Sequence, residues 1–116
     1  MVSQLINKAH KRNRRKMTSK QRAYLKKLAS DLDTVFQIGK GGVTDEICFQ
    51  LGNALEAREL IKIKILETCP TSVKDSATII SQKTGAEVVQ TIGMKIVLFK
   101  VSSNESNRKI DLKKIR

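Results

Sequence analysis

Histidine is nearly absent from this chain of 116 residues: His10 is the only one, and it stands in a basic run near the N-terminus. Without a histidine in the body, neither a Ser/His/Asp nor a Cys/His arrangement can be assembled there. Cysteine is scarce too. Cys48 and Cys69 show no CxxC spacing and no Cys/His cluster, so no zinc ligand set is expected. They read as reduced thiols in core or semi-exposed positions, in a reducing compartment. Tryptophan is missing, and the aromatic residues are only Tyr24, Phe36, Phe49 and Phe99. The three phenylalanines fall in strand or helix patterns where core packing is expected. A single-strand reader that stacks bases on exposed rings is therefore poorly served. No apolar run approaches the roughly 20 residues that span a bilayer. The basic N-terminus also lacks the apolar stretch of a secretory signal.

Acidic residues are the next shortage. Lysine and arginine number 23 against 11 aspartate and glutamate, giving a formal charge of +12 and a pI near 10.1. Residues 1–16 hold Lys8, Lys11, Arg12, Arg14, Arg15 and Lys16 with no acid, and the body holds the other half of the excess. Such an imbalance points to a polyanionic partner. Residues 1–16 read as a separate basic arm, with three readings open: an RNA-binding arm, an organelle-type presequence, or an extension from an upstream start. An apolar content of 40% and the length fit one globular domain.

Along the body, Thr18 to Asp31 has helical spacing, with Leu25, Leu28, Ala29 and Leu32 at i, i+3, i+4 and i+7. Thr18 or Ser19 can cap it. Asp33 to Ile38 reads as a first strand. Thr44 caps a second helix whose core face is Ile47, Leu51, Ala54 and Leu55, and Gly52 within it suggests a close approach to the sheet. Leu60 to Glu67 alternates strictly, Ile61, Ile63 and Ile65 against Lys62 and Lys64, as a half-buried strand does. Ser72 caps a third helix with Val73, Ala77 and Ile80 inward, and Gly85 ends it. Glu87–Ile92 and Lys95–Val101 form a hairpin across Gly93-Met94. The order is α-β-α-β-α-β-β: one compact α/β domain over 17–101, with a four-stranded mixed sheet and helices packed on it. Residues 102–116 read as a polar basic tail.

The segment with the most chemistry is Gly39-Lys40-Gly41-Gly42, between the first strand and the second helix. Glycine permits close backbone approach, and a helix N-terminus offers unpaired N–H groups to an anion. The expectation is that Lys40 meets a phosphate while the Gly41, Gly42 and Val43 amides donate to its neighbours. The loop lacks the Lys-Ser/Thr pair of a Walker A and the spacing of GxGxxG. Asp45 and Glu46, the adjacent carboxylates, suit the helix dipole rather than acid/base work. Lys20, Arg22, Lys26 and Lys27 on the first helix, and Lys62 and Lys64 on one strand face, could converge with Lys40, although each read singly is an ordinary solvated cation. The reading is a non-catalytic binder of RNA backbone. No cofactor, metal, membrane or small-molecule substrate is expected. Two alternatives stay open: a phosphate- or nucleotide-binding enzyme using the same loop, and a basic adaptor for an acidic protein.

Several signatures together resemble one family. They are Lys20-Gln21-Arg22-x-x-Leu25-x-x-Leu28-Ala29, then Ile38 to Thr44, then Ala54-Leu55-Glu56-x-x-Glu59 through Lys64. The last runs from Gly85-Ala86 to Gln90-x-Ile92-Gly93-x-x-Ile96-Val97-Leu98-Phe99. From Met17 to about Lys100 the chain is similar to the CRM domain, in its stand-alone bacterial YhbY form. The resemblance implies a fold like the C-terminal domain of translation initiation factor three, with a GxxG loop comparable to that of KH domains. It also implies association with large-ribosomal-subunit precursors; the chain itself is expected to be a monomer in the bacterial cytoplasm. The loop Gly39 to Gly42 and the neighbouring basic surface are its implied RNA contacts. No family role carries over to residues 1–16.

Overall fold

The computed structural model describes residues 17–108 and 110; the expected basic arm at 1–16, and all the lysines of the expected tail, lie outside them. Helix α1 is Ser19–Ser30, β1 Thr34–Ile38, α2 Asp45–Arg58, β2 Leu60–Ile65, α3 Val73–Thr84, β3 Glu87–Ile92 and β4 Lys95–Phe99, followed by a 3-10 turn at Glu105–Asn107. This is the expected order. The caps are those the sequence carries. Thr18 closes a capping box with Gln21 on α1. The Thr44 hydroxyl accepts from Ile47 N at 3.1 Å and that of Ser72 from Asp75 N at 3.0 Å. Gly85 ends α3 at φ +78.

The strands form one mixed sheet in the order β1-β2-β4-β3. β1 runs parallel to β2, and the other two pairings are antiparallel. Ile61, Ile63 and Ile65 point to one face, where they meet Leu51, Leu55, Ala77 and Ile80 of α2 and α3. Helix α1 covers part of the other face, burying Leu25 and Ala29 against Leu60, Val89, Val97 and Phe99. The sheet therefore lies between two helical layers, each burying an apolar stripe.

Three expectations fail. Leu28 and Leu32 are exposed rather than buried. Leu28 is turned about 60° from Leu25 and away from Ala29, Leu32 lies past the end of α1 at Ser30, and Met17 and Ile110 complete that cluster instead. Gly52 marks no close approach, since a Cβ there would meet nothing within 4 Å. Phe49 is not in the core.

Beyond Phe99 the chain does not leave the body. Glu56 Oε1 accepts from Ser103 N at 2.6 Å, Ser102 Oγ at 3.1 Å, Asn104 N at 3.2 Å and the Ser103 hydroxyl. The side chain of Glu59 accepts from Ser102 N at 2.9 Å and Ile110 N at 3.3 Å. The described part of the expected tail is thus strapped to the end of α2. Hydrogen bonds from Ser103 hold the Glu56 carboxyl below its ordinary value of 4.5, against the opposing effect of burial. A carboxyl with a depressed folded pKa adds stability above its unfolded pKa and loses it as pH falls through the folded one. Thermal melts from pH 6 down to 3 are expected to show a decline beginning below pH 4.5, and Glu56→Gln is expected to flatten part of it. Equal slopes for both proteins would disprove the contribution.

Candidate nucleic-acid interface

Gly39 to Gly42 form a tight turn in which Gly42 N donates to Gly39 O at 2.9 Å. One of the three amides expected to face a phosphate is therefore used inside the turn, which leaves those of Gly41 and Val43, with the Lys40 amide beside them. The glycines also divide their roles. Gly42 is buried at φ +72, and a Cβ on it would lie 3.2 Å from Pro70 Cγ. Gly39 faces the Thr68 hydroxyl, with 3.3 Å between its would-be Cβ and Oγ1. Gly41 is exposed, and a Cβ there would meet nothing within 4 Å. The β2–α3 loop thus buttresses two glycines, and the third faces solvent beside exposed Lys40. Gly42→Ala is expected to destabilise the fold by about 1–2 kcal/mol through its positive φ, whereas Gly41→Ala leaves the melting temperature within about 2 °C. Calorimetry of the two variants checks this, and equal losses would refute the division.

Cys69 lies in that buttressing loop. Burial raises its thiol pKa, but hydrogen bonds involving Thr71 and Ser76 outweigh it and leave the thiol below its ordinary value. Cys48 is buried and pushed up by desolvation. Both are free thiols, as the sequence suggests. Among the described residues no group of three or more His, Cys, Asp or Glu could hold a metal ion.

The loop shares one end of the sheet with two other segments. Leu66 N donates to Ile38 O at 2.8 Å, and Ile65 N to Met94 O at 2.7 Å in the β3–β4 turn. Just inside that end, Gln37 pairs with Lys64, Lys64 with Lys95, and Lys95 with Ile92. Directly paired residues point to the same face, so Gln37, Lys64, Lys95 and Ile92 form a row across all four strands. Gln37 and Lys95 are exposed and Lys64 half-buried. Two lysines directly opposite repel each other. The ion pair formed among the described residues is Lys83–Asp45, which lies elsewhere. Lys95 has no sequence signal of its own: the register with Lys64 gives it its place.

The other expected cations are scattered. Lys62 is on the Lys64 face as the alternation requires, but it is only 8% exposed. The sequence cannot tell which face is covered, and α1 closes over this end, with Leu60 and Val97 beside Lys62. A lysine so enclosed buries its stem along apolar surface. Arg22 is engaged by the fold: Nη1 donates to Val88 O at 2.8 Å and Val89 O at 2.7 Å, at the bulge of β3. Lys20, Lys26 and Lys27 are exposed on α1. At 100° per residue Lys26 flanks the buried line, and Lys20 and Lys27 point away from it.

The sequence profile of the CRS1 / YhbY (CRM) domain matches residues 17–100. The Probable RNA-binding protein YqeI of Bacillus subtilis is 43% identical over 96 residues, covering 83% of this chain and 98% of that protein. An RNA-binding protein of Haemophilus influenzae is 35% identical over 86 residues, covering 74% and 87%. The solution structure of a Staphylococcus aureus protein proposed to bind RNA superposes with a TM-score of 0.67 at 38% identity, covering 83% of this chain and all of that one. The match extends from α1 through β4 and takes in the glycine turn and the strapped end of α2. This chain is a member of the CRS1/YhbY (CRM) domain family.

Proposed function

We propose that this protein is a non-catalytic RNA-binding protein that grips the backbone of structured ribosomal RNA during assembly of the large ribosomal subunit. The observation that carries the reading is the exposed turn at Lys40-Gly41, held by Thr68 and Pro70 and continuous at the same sheet end with the Lys64–Lys95 pair. An exposed glycine lets a phosphate approach the amides of Lys40, Gly41 and Val43. Lys40 supplies the counter-charge, and Lys64 and Lys95 continue the track to neighbouring phosphates. A polyanion laid along these cations relieves the repulsion between the paired lysines. Lys20, Lys26 and Lys27 form a peripheral basic surface on α1. The names of the Bacillus and Haemophilus relatives support the RNA partner, and the family resemblance supports the ribosomal setting. The +12 charge suits a backbone-reading mode.

Gradient sedimentation of lysate, with and without RNase, tests the reading. Co-migration with large-subunit precursors and release by RNase is the expected result. Protein remaining at the top of the gradient in gentle salt would remove the ribosomal assignment, leaving only general RNA affinity to be tested on purified transcripts.

A further inference from the structure

Phe49 is 70% exposed, the highest among the large apolar side chains of the described residues. It stands on the rim of a cleft of about 530 Å³ whose lining includes Gly52, Asn53, Lys83 and Lys100, a size that suits a small planar ligand. Gly52 leaves the cleft smooth, because its missing side chain would point into open space. The charges bordering it are already engaged. Lys83 pairs with Asp45, Lys100 Nζ donates to Thr84 O at 2.8 Å, and Glu56 is taken by residues 102–104. What remains for a ligand is an aromatic face, the exposed Asn53 amide and a bare backbone: a setting for an uncharged base rather than a phosphate.

Its position supplies the second argument. Phe49 lies one helical turn beyond Asp45, the first residue of α2, about 6 Å along the axis. The cap of that helix, Thr44, is two residues past Gly42. A strand whose phosphate rests on the glycine turn therefore reaches the ring within about two or three nucleotides. Asn53 is four residues further along the same helix face and offers one amide donor and one acceptor to a base edge.

We propose that Phe49 is a stacking platform for an unpaired RNA base next to the segment held by the Gly39–Gly42 turn, with Asn53 at the base edge. The inference rests on the RNA reading above and narrows it: the RNA bound is structured but carries an unpaired nucleotide at this cleft.

The test uses full-length protein, a 12-nucleotide single-stranded RNA and a blunt-ended RNA duplex. Phe49→Ala is expected to weaken the single strand about 5- to 150-fold, the range for one stacked base, and to leave duplex affinity and the melting temperature unchanged. Phe49→Trp provides a direct readout, since the chain has no other tryptophan: single-strand affinity is retained and the new fluorescence is quenched at saturation. Wild-type single-strand affinity in Phe49→Ala would overturn the proposal. So would equal weakening of both RNAs, or an unquenched Phe49→Trp complex. Failure of the unmodified protein to bind either RNA would sink the RNA reading itself, a result distinct from these.

Discussion

Glu59→Ala is expected to lower stability by about 3–5 kcal/mol, as much as emptying a core leucine position. Glu59 is fully buried, and its side chain receives the amides of Ser102 and Ile110. A buried donor left without its acceptor costs about 1–3 kcal/mol, and truncation leaves two such donors. The residue is also tied through its backbone, with Glu59 N donating to Leu55 O at 2.7 Å and Glu59 O accepting from Lys100 N at 2.9 Å. These bonds bring the end of α2, the start of β2 and the segment after β4 to one point. At this chain length the loss corresponds to a fall in melting temperature of at least about 12 °C. A second variant separates side chain from backbone. Glu59 is the non-glycine residue at positive φ among the described residues, at φ 65 and ψ −41, a sparsely populated region costing about 1–3 kcal/mol. Glu59→Gly loses the same bonds but relieves that strain, so it is expected to be more stable than Glu59→Ala. Melting of Glu59→Ala within a degree or two of wild type would disprove the clamp. An alanine variant more stable than the glycine one would disprove the strain.

Glu59 also shows where a sequence reading stops. Glu56 and Glu59 stand in the family signature, yet their partners are more than 40 residues away, and no periodicity links α2 to Ser102. What was legible was local. Thr18, Thr44 and Ser72 announced three helix starts, Gly85 an end, Gly93-Met94 a hairpin, and the Ile61/Ile63/Ile65 alternation a half-buried strand; all stand in the fold. The strand order β1-β2-β4-β3 was not legible, because pairing is decided by contacts distant in sequence. Hence neither the covering of Lys62 nor the companionship of Lys64 and Lys95 can be read from the sequence. Phe49 departs from expectation for a different reason. Its hydrophobicity suggested the core, but α2 already fills its inward line with Cys48, Leu51 and Leu55. Nor does the sequence indicate that Arg22 Nη1 is engaged by two carbonyls at the bulge in β3.

The candidate interface makes its strongest demand on three lysines. Lys40→Gln, Lys64→Gln and Lys95→Gln combined are expected to lower the salt slope of log K by about 2.1–2.7, if each lysine meets one phosphate at about 0.7–0.9 per contact. Between 50 and 200 mM salt the wild-type affinity for a large-subunit RNA transcript would then fall about 20- to 40-fold more than that of the triple variant. The electrostatic reason is specific to this sheet. Lys64 and Lys95 are paired across β2 and β4, so their Cα atoms are about 5 Å apart. Removing either charge relieves repulsion in the free protein, and the variant is expected to fold at least as stably as wild type. Stability and binding thus move in opposite directions, a pattern that general loss of structure cannot produce. A control of equal charge change, Lys20, Lys26 and Lys27 each to Gln, removes the exposed cations of α1 instead. If the track runs from Lys40 through Lys64 to Lys95, the control lowers the slope by less than half as much. Equal slopes in the two triple variants would mean that the RNA senses only total charge, and the turn would lose its assignment as the gripping element. A variant that weakens some RNA sequences and spares others would show that these lysines touch base edges, since phosphate contacts carry no sequence information.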